Sequence, residues 1–87
     1  MANGLNGGVT VSMHPGGMVL LHPTTGQLFA SNRLGAQIWR GLAERLTVEA
    51  IVRQISRDHG IPLATARQDT ARFLVDLRGQ GLLERAE

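Results

Sequence analysis

The sequence predicts an α+β fold in which a three-stranded antiparallel sheet precedes three helices in two layers. Short runs of apolar or alternating residues occupy the first third of the chain, as strands require. Proline- and glycine-containing turns separate these runs. After residue 31 the apolar residues recur at helical spacing instead. We therefore expect the element order β-β-β-α-α-α, without repeats.

The three strands are assigned from their patterns. Val9–Met13 alternates apolar and polar residues, whereas Met18–His22 is apolar almost throughout and is expected to be the central strand. Gln27–Ala30 is the third and shortest strand. The connections His14–Gly17 and Pro23–Gly26 are short, so consecutive strands should pair as an antiparallel meander.

Local signals mark the ends of the three helices. Ser31 or Asn32 is expected to cap the first helix, and Thr47 the second. Gly60 is expected to end the second helix in the left-handed conformation, and Pro62 suits the first turn of the third. The predicted apolar stripes comprise Leu34, Ile38, Trp39 and Leu42, then Val48, Ile51, Val52 and Ile55, then Ala66, Thr70, Phe73, Leu74 and Leu77.

The length of 87 residues allows a single domain with a small core. We expect this domain to span residues 9–83, with a flexible Gly/Asn-rich tail at 1–8 and a short tail at 84–87. The absence of cysteine excludes disulfides, cysteine-based zinc sites and thiol nucleophiles. No secretion signal and no apolar run of about 18 residues is present, so a cytoplasmic location is expected.

The charge is unevenly distributed along the chain. All nine basic residues are arginine, and the net charge is +2. Residues 1–43 contain two arginines and no acid, whereas residues 44–87 contain seven arginines and seven acids. The weakly positive first half either favours a partner with some negative charge or serves solubility.

No catalytic or metal-binding arrangement is evident. His14 and His22 each precede a proline at a turn. His59 lies at the end of a predicted helix, distant in sequence from the other two. Their spacing matches no metal motif, and no serine–histidine–aspartate set or carboxylate pair is suggested. The sequence therefore predicts a non-catalytic protein with no metal or cofactor.

The third strand presents a surface that the core does not explain. If it pairs only with the second strand, one of its edges stays open. Lysine, proline and inward charges, which protect such edges, are missing from its four residues, Gln27, Leu28, Phe29 and Ala30. Either another strand adds to this edge, or the strand is too short to be a hazard or is covered by the third helix.

The third helix presents a second such surface. Four side chains share an arc next to Leu74: Arg67, Ala71, Val75 and Arg78. They either grip an amphipathic segment with acidic groups or form an ordinary exposed face. The opposite face is expected to be solvated and carries Asp69, Arg72 and Asp76.

The segment TGQLFASNRLGAQIW at residues 25–39 resembles the PqqD-like family. The shared pattern is a turn glycine, a short strand ending in asparagine, a pair of small residues and Ile-Trp on the first helix. Residues 47–52 resemble the opening of the family's second helix, and residues 69–83 its last helix and end. The resemblance spans about residues 9–83, with one departure at Ser31, where the family usually has leucine.

The resemblance implies a winged helix-turn-helix-like module, the RiPP recognition element. Such modules bind the leader of a ribosomally made precursor peptide, which adds to the third strand and lies against the third helix. The implied peptide-binding residues are Gln27, Leu28, Phe29, Ala30, Arg67, Ala71, Leu74, Val75 and Arg78. The two outer arginines of the helix, Arg67 and Arg78, would orient leader carboxylates.

A free-standing domain of this length looks most like the recognition protein of lasso-peptide pathways, whose partner is a leader peptidase. The alternative within the family serves a radical-SAM enzyme in PQQ biosynthesis. A winged-helix DNA-binding protein is the alternative from another class, but Asp69, Asp76 and the lack of lysine count against it. The expected partners are a precursor peptide and a maturation enzyme, without nucleic acid or membrane, and the chain is expected to be a monomer or weak homodimer.

Overall fold

The computed structural model describes residues 8–83. The tails expected at 1–8 and 84–87 lie outside the described residues, apart from Gly8. The elements are β1 (Thr10–His14), β2 (Gly17–Leu21), β3 (Leu28–Asn32), α1 (Arg33–Ala43), α2 (Val48–His59) and α3 (Leu63–Gly79). The predicted order of three strands and three helices is confirmed.

The sheet is antiparallel with β2 at its centre, as predicted from the apolar character of that strand. Its register pairs Val11 with Leu20 across the first hairpin and Leu20 with Phe29 across the second. Partnered residues share a face, so these three side chains all point toward the helices. β1 and β3 are consequently the two edges of the sheet.

The turn before β3 is longer than the pattern suggested. The His22 N–H donates to the Gln27 carbonyl at 3.0 Å, and Gly26 adopts a positive φ of 74°. The imidazole Nδ1 of His22 accepts the backbone N–H groups of Thr24 and Thr25. Gln27 therefore belongs to the turn and β3 starts at Leu28, one residue later than expected.

The helix ends follow the predicted capping chemistry. The side chain of Asn32 accepts the Gly35 N–H at 3.0 Å, and the Thr47 hydroxyl accepts the Ala50 N–H at 3.1 Å. Gly60 ends α2 with a left-handed φ of 64°. Pro62 is the residue that precedes α3 and not its first helical residue, a shift of one position from the expectation.

The core lies between the sheet and the helices. β2 contributes Met18 and Leu20, both fully buried, and the chain after α3 returns Leu82 and Leu83 to the same core. The helices supply the remaining buried apolar residues: Ile38, Trp39, Leu42, Ile51, Val52, Ile55, Ala66, Leu74 and Leu77. Within residues 8–83, no helix is both long and apolar enough to cross a membrane.

Candidate functional site

The open edge of β3 is the first part of the candidate site. β2 pairs with one side of β3, and no other strand of residues 8–83 pairs with the opposite side. An unpaired edge offers a row of N–H and C=O groups to another extended chain. Among the strands of residues 8–83, β3 therefore has the open edge that the strand pattern predicted.

The hydrogen-bond phase of the β2–β3 ladder determines which backbone groups face outward. Because the His22 N–H donates to the Gln27 carbonyl, His22 and Gln27 form the hydrogen-bonded pair next to the turn. Pairs alternate along an antiparallel ladder, so Leu20–Phe29 is also a hydrogen-bonded pair. The N–H and C=O groups of Phe29 therefore point to β2, whereas those of Leu28 and Ala30 point to the open edge.

The side chains of β3 divide between two faces of the sheet. Leu28 is 69% exposed and lies with Ala30 on the face away from the helices. Phe29 is half-buried on the opposite face and packs against the core. Its ring contacts that of Phe73 on α3, with centroids 6.0 Å apart and planes tilted by 59°. This ring contact links β3 to α3.

A groove of about 280 Å³ lies where the end of β3, the start of α1 and α3 meet. Its lining consists of Asn32, Leu34, Gly35, Asp69, Arg72, Phe73 and Asp76. Gly35 allows this close approach, since an added Cβ would lie 2.8 Å from the Phe73 ring and 2.7 Å from the Ser31 hydroxyl. The groove thus adjoins the C-terminal end of the open strand.

The structure does not bring the expected arc of α3 to β3. Arg67 donates to the Glu49 carboxylate at 2.8 Å, which places it toward α2. Leu74 is only 7% exposed and belongs to the core. At about 100° per residue, the four other predicted residues lie at least about 120° around the helix axis from Phe73: Arg67, Ala71, Val75 and Arg78. The flank expected to be solvated, with Asp69 and Asp76, borders the groove instead.

Sequence reasoning missed Phe73 and Asp69 as groove residues. Phe73 was assigned to the core stripe, yet it is only half-buried and lines the groove. The small residue at Gly35 was the available signal, because a glycine inside a helix marks a close approach by another element. It did not reveal which element approaches.

The Arg67–Glu49 contact perturbs one titration. The Arg67 hydrogen bond, aided by the charges of Arg67 and Arg53, lowers the pKa of Glu49 below its ordinary value of 4.5. A lowered carboxylate pKa stabilises the fold above the unfolded-state pKa, and this stabilisation is lost as the pH falls through the folded-state pKa. Because Glu49 is solvent-exposed, its contribution to stability is small.

Arg67→Ala should raise the pKa of Glu49 toward 4.5, since the largest cause of its lowering is removed. We expect the same variant to bind peptide as the wild type does, because Arg67 lies on the flank away from β3. An NMR pH titration of the Glu49 carboxylate and a peptide titration measure the two effects. Weakened peptide binding by Arg67→Ala would show that Arg67 belongs to the peptide-binding site.

Two of the histidines, His22 and His59, make hydrogen bonds within the described part of the chain. Among residues 8–83, no three histidine, aspartate or glutamate side chains gather as metal ligands would. His22 holds its turn, and His59 hydrogen-bonds the Gln37 side chain at 2.8 Å.

Three comparisons bear on this surface. The family described as "Coenzyme PQQ synthesis protein D (PqqD)" matches residues 17–83. The curated proteins contain no match to the chain.

Two solved structures have the same fold. One is TbiB1 in complex with the TbiA(beta) leader peptide, with a TM-score of 0.87 and 30% identity over 95% of this chain and 96% of that chain. The other is lasso peptide synthetase B1 complexed with the leader peptide, with a TM-score of 0.85 and 21% identity over 93% of this chain and 95% of that chain. Both similarities extend over nearly the whole length of the chains compared.

Proposed function

The chain belongs to the PqqD family, and we propose that it captures the leader segment of a ribosomally synthesised precursor peptide by strand addition. It then presents the peptide to a maturation enzyme, and the proposed enzyme is the leader peptidase of a lasso-peptide pathway. The observation that carries the proposal is the open edge of β3 beside the groove with α3. Both similar solved structures are complexes with leader peptides, which supports the same class of ligand.

Backbone pairing supplies part of the affinity. The outward N–H and C=O groups of Leu28 and Ala30 would pair with the leader, each bond contributing about 0.5–1.5 kcal/mol net. Such bonds do not distinguish one leader from another, because every peptide carries the same backbone groups. Specificity therefore has to come from side chains, those of the groove on one face and Leu28 on the other.

The domain would act by proximity and not by bond-making. An unstructured leader loses conformational freedom on binding, which offsets several kcal/mol of the contacts. We expect a dissociation constant between about 1 μM and a few tens of nanomolar, or roughly 8–10 kcal/mol. Once the complex docks on the enzyme, the tethered core peptide meets the active site at a high effective concentration.

A binding titration tests the proposal. The neighbourhood of the gene is first searched for a short precursor peptide, and its synthetic leader segment, labelled with fluorescein, serves as the probe and is followed by anisotropy. We expect saturable binding in the stated range and none with a scrambled peptide of identical composition. The absence of saturable binding at roughly 100 μM peptide would refute the proposed function.

The choice of maturation enzyme has a separate test. A leader peptidase found by the same search of the gene neighbourhood is assayed for precursor cleavage with and without this protein. We expect this protein to raise the cleavage rate at precursor concentrations below the KM of the peptidase, because tethering raises the local substrate concentration. An unchanged rate with a bound leader would favour the other pathway of the family, in which a radical-SAM enzyme is served.

A further inference from the structure

The α3 wall of the groove carries a carboxylate without a partner. Asp69 is half-buried and lines the groove. Within residues 8–83, its side chain has neither a hydrogen bond nor an ion pair, in contrast to Glu49, which two arginines contact. A partly desolvated carboxylate gains more from a cationic partner than a fully exposed one does.

The groove is acidic although the chain as a whole is basic. Its charged lining consists of two carboxylates, Asp69 and Asp76, and one guanidinium, that of Arg72. Among residues 8–83, no ion pair within 4.0 Å joins either carboxylate to the Arg72 guanidinium. The formal charge of the groove lining, two carboxylates against one guanidinium, is therefore opposite in sign to the net charge of +2 of the chain.

An aromatic ring lies one helical turn from the unpaired carboxylate. Phe73 follows Asp69 by four residues on α3, so the two side chains are neighbours on one face. The Phe73 ring contacts that of Phe29 and also lines the groove together with Leu34. A lysine or arginine side chain suits this pair of surfaces, with its apolar stem on the ring and its charge at the carboxylate.

We propose that this groove selects leader peptides that carry a lysine or arginine, whose side chain enters between Phe73 and Asp69. The inference rests on the proposed function, since it takes the leader to be a strand added to β3. Alternate side chains of an added strand point to the helix-facing side of the sheet. The basic residue therefore stands at one fixed position of the leader, and its neighbours in sequence point to the other face, near Leu28.

The proposal is tested with peptides whose sequence is not chosen in advance. A display library of random peptides long enough to span β3 is selected against the wild type and against Asp69→Asn and Asp69→Arg. Glu44→Gln is the matched control, because it removes an exposed carboxylate at the end of α1 that does not line the groove. Circular dichroism checks that each variant folds. If Asp69→Arg does not fold, Asp69→Asn still tests the proposal, because asparagine has nearly the same size as aspartate.

We expect the wild type and Glu44→Gln to enrich peptides with lysine or arginine at one position. Asp69→Asn should lose this preference, and Asp69→Arg should favour aspartate or glutamate at the same position. For one selected peptide, replacing its basic residue with norleucine should weaken binding about tenfold to the wild type and by less than about twofold to Asp69→Asn.

The failures are distinguishable. Enriched peptides without a basic preference, or with the same preference in Asp69→Asn, would overturn this inference and leave strand addition standing. If the library yields no binders, the leader segment itself is titrated: binding that Asp69→Asn does not weaken overturns the inference alone, and the absence of saturable binding overturns the proposed function with it.

Discussion

Ala30→Pro is expected to weaken leader binding by at least about tenfold while the domain stays folded. The Ala30 N–H points to the open edge of β3, so proline removes a donor that the added strand needs and leaves a leader carbonyl unpaired. An unpaired buried acceptor costs about 1–3 kcal/mol, and the proline ring also occupies the position of the incoming strand. Anisotropy titration with the labelled leader measures the loss.

Phe29→Pro is the matched comparison for this prediction. The Phe29 N–H points to β2, so proline there removes a bond of the internal ladder and should cost the fold about 3 kcal/mol or more. Ala30→Pro should thus give a folded domain that binds the leader weakly, whereas Phe29→Pro should give a destabilised domain. Unchanged leader affinity in a folded Ala30→Pro variant would show that the leader does not pair with this edge.

Gly17→Ala is expected to destabilise the domain by about 3 kcal/mol or more. An added Cβ would lie 1.9 Å from the Ser31 carbonyl oxygen, and Gly17 has a φ of +153°, which side chains disfavour. The obstacle is backbone, so no rotamer change relieves it, and β3 would have to move away from β2. Urea denaturation measures the effect as a lower midpoint.

Gly16→Ala is the control next to it in the same turn. Its added Cβ would meet only the His14 ring, at 3.8 Å, which is ordinary contact. We expect its stability to stay within about 0.5 kcal/mol of the wild type. Equal stability of Gly17→Ala and Gly16→Ala would contradict the close backbone contact between β2 and β3 at this end of the sheet.

The local parts of the fold could be predicted because local chemistry determines them. Thr47 caps α2 and Gly60 ends it through bonds within a few residues, and the sequence displays both. The central place of β2 likewise follows from short turns and an apolar run. The open edge of β3 was predictable for the same reason, since a meander leaves its last strand unpaired on one side.

The detailed site could not be predicted because it depends on packing between distant residues. The buried stripe of α3 has two flanks, and nothing local to the helix says which one faces β3. The ring contact between Phe29 and Phe73 decides this, and those residues are far apart in sequence. The sequence pattern therefore led us to pair the open edge of β3 with the flank that carries Ala71 and Val75, whereas Phe73 on the other flank is the residue that contacts β3.

The direction of the β3 backbone groups was also beyond the sequence. It depends on the pair that closes the turn, His22 with Gln27. A shift of one residue in that pairing would turn the Phe29 N–H outward and the Ala30 N–H inward. The strand pattern alone is compatible with either phase.

Hydrogen–deuterium exchange with and without the leader tests strand addition most directly. The outward N–H groups of Leu28 and Ala30 should exchange fast in the free protein and slow markedly when the leader binds. The Phe29 N–H, already bonded to β2, should change much less. New protection confined to the other flank of α3, or a bound leader that protects neither Leu28 nor Ala30, would contradict the account.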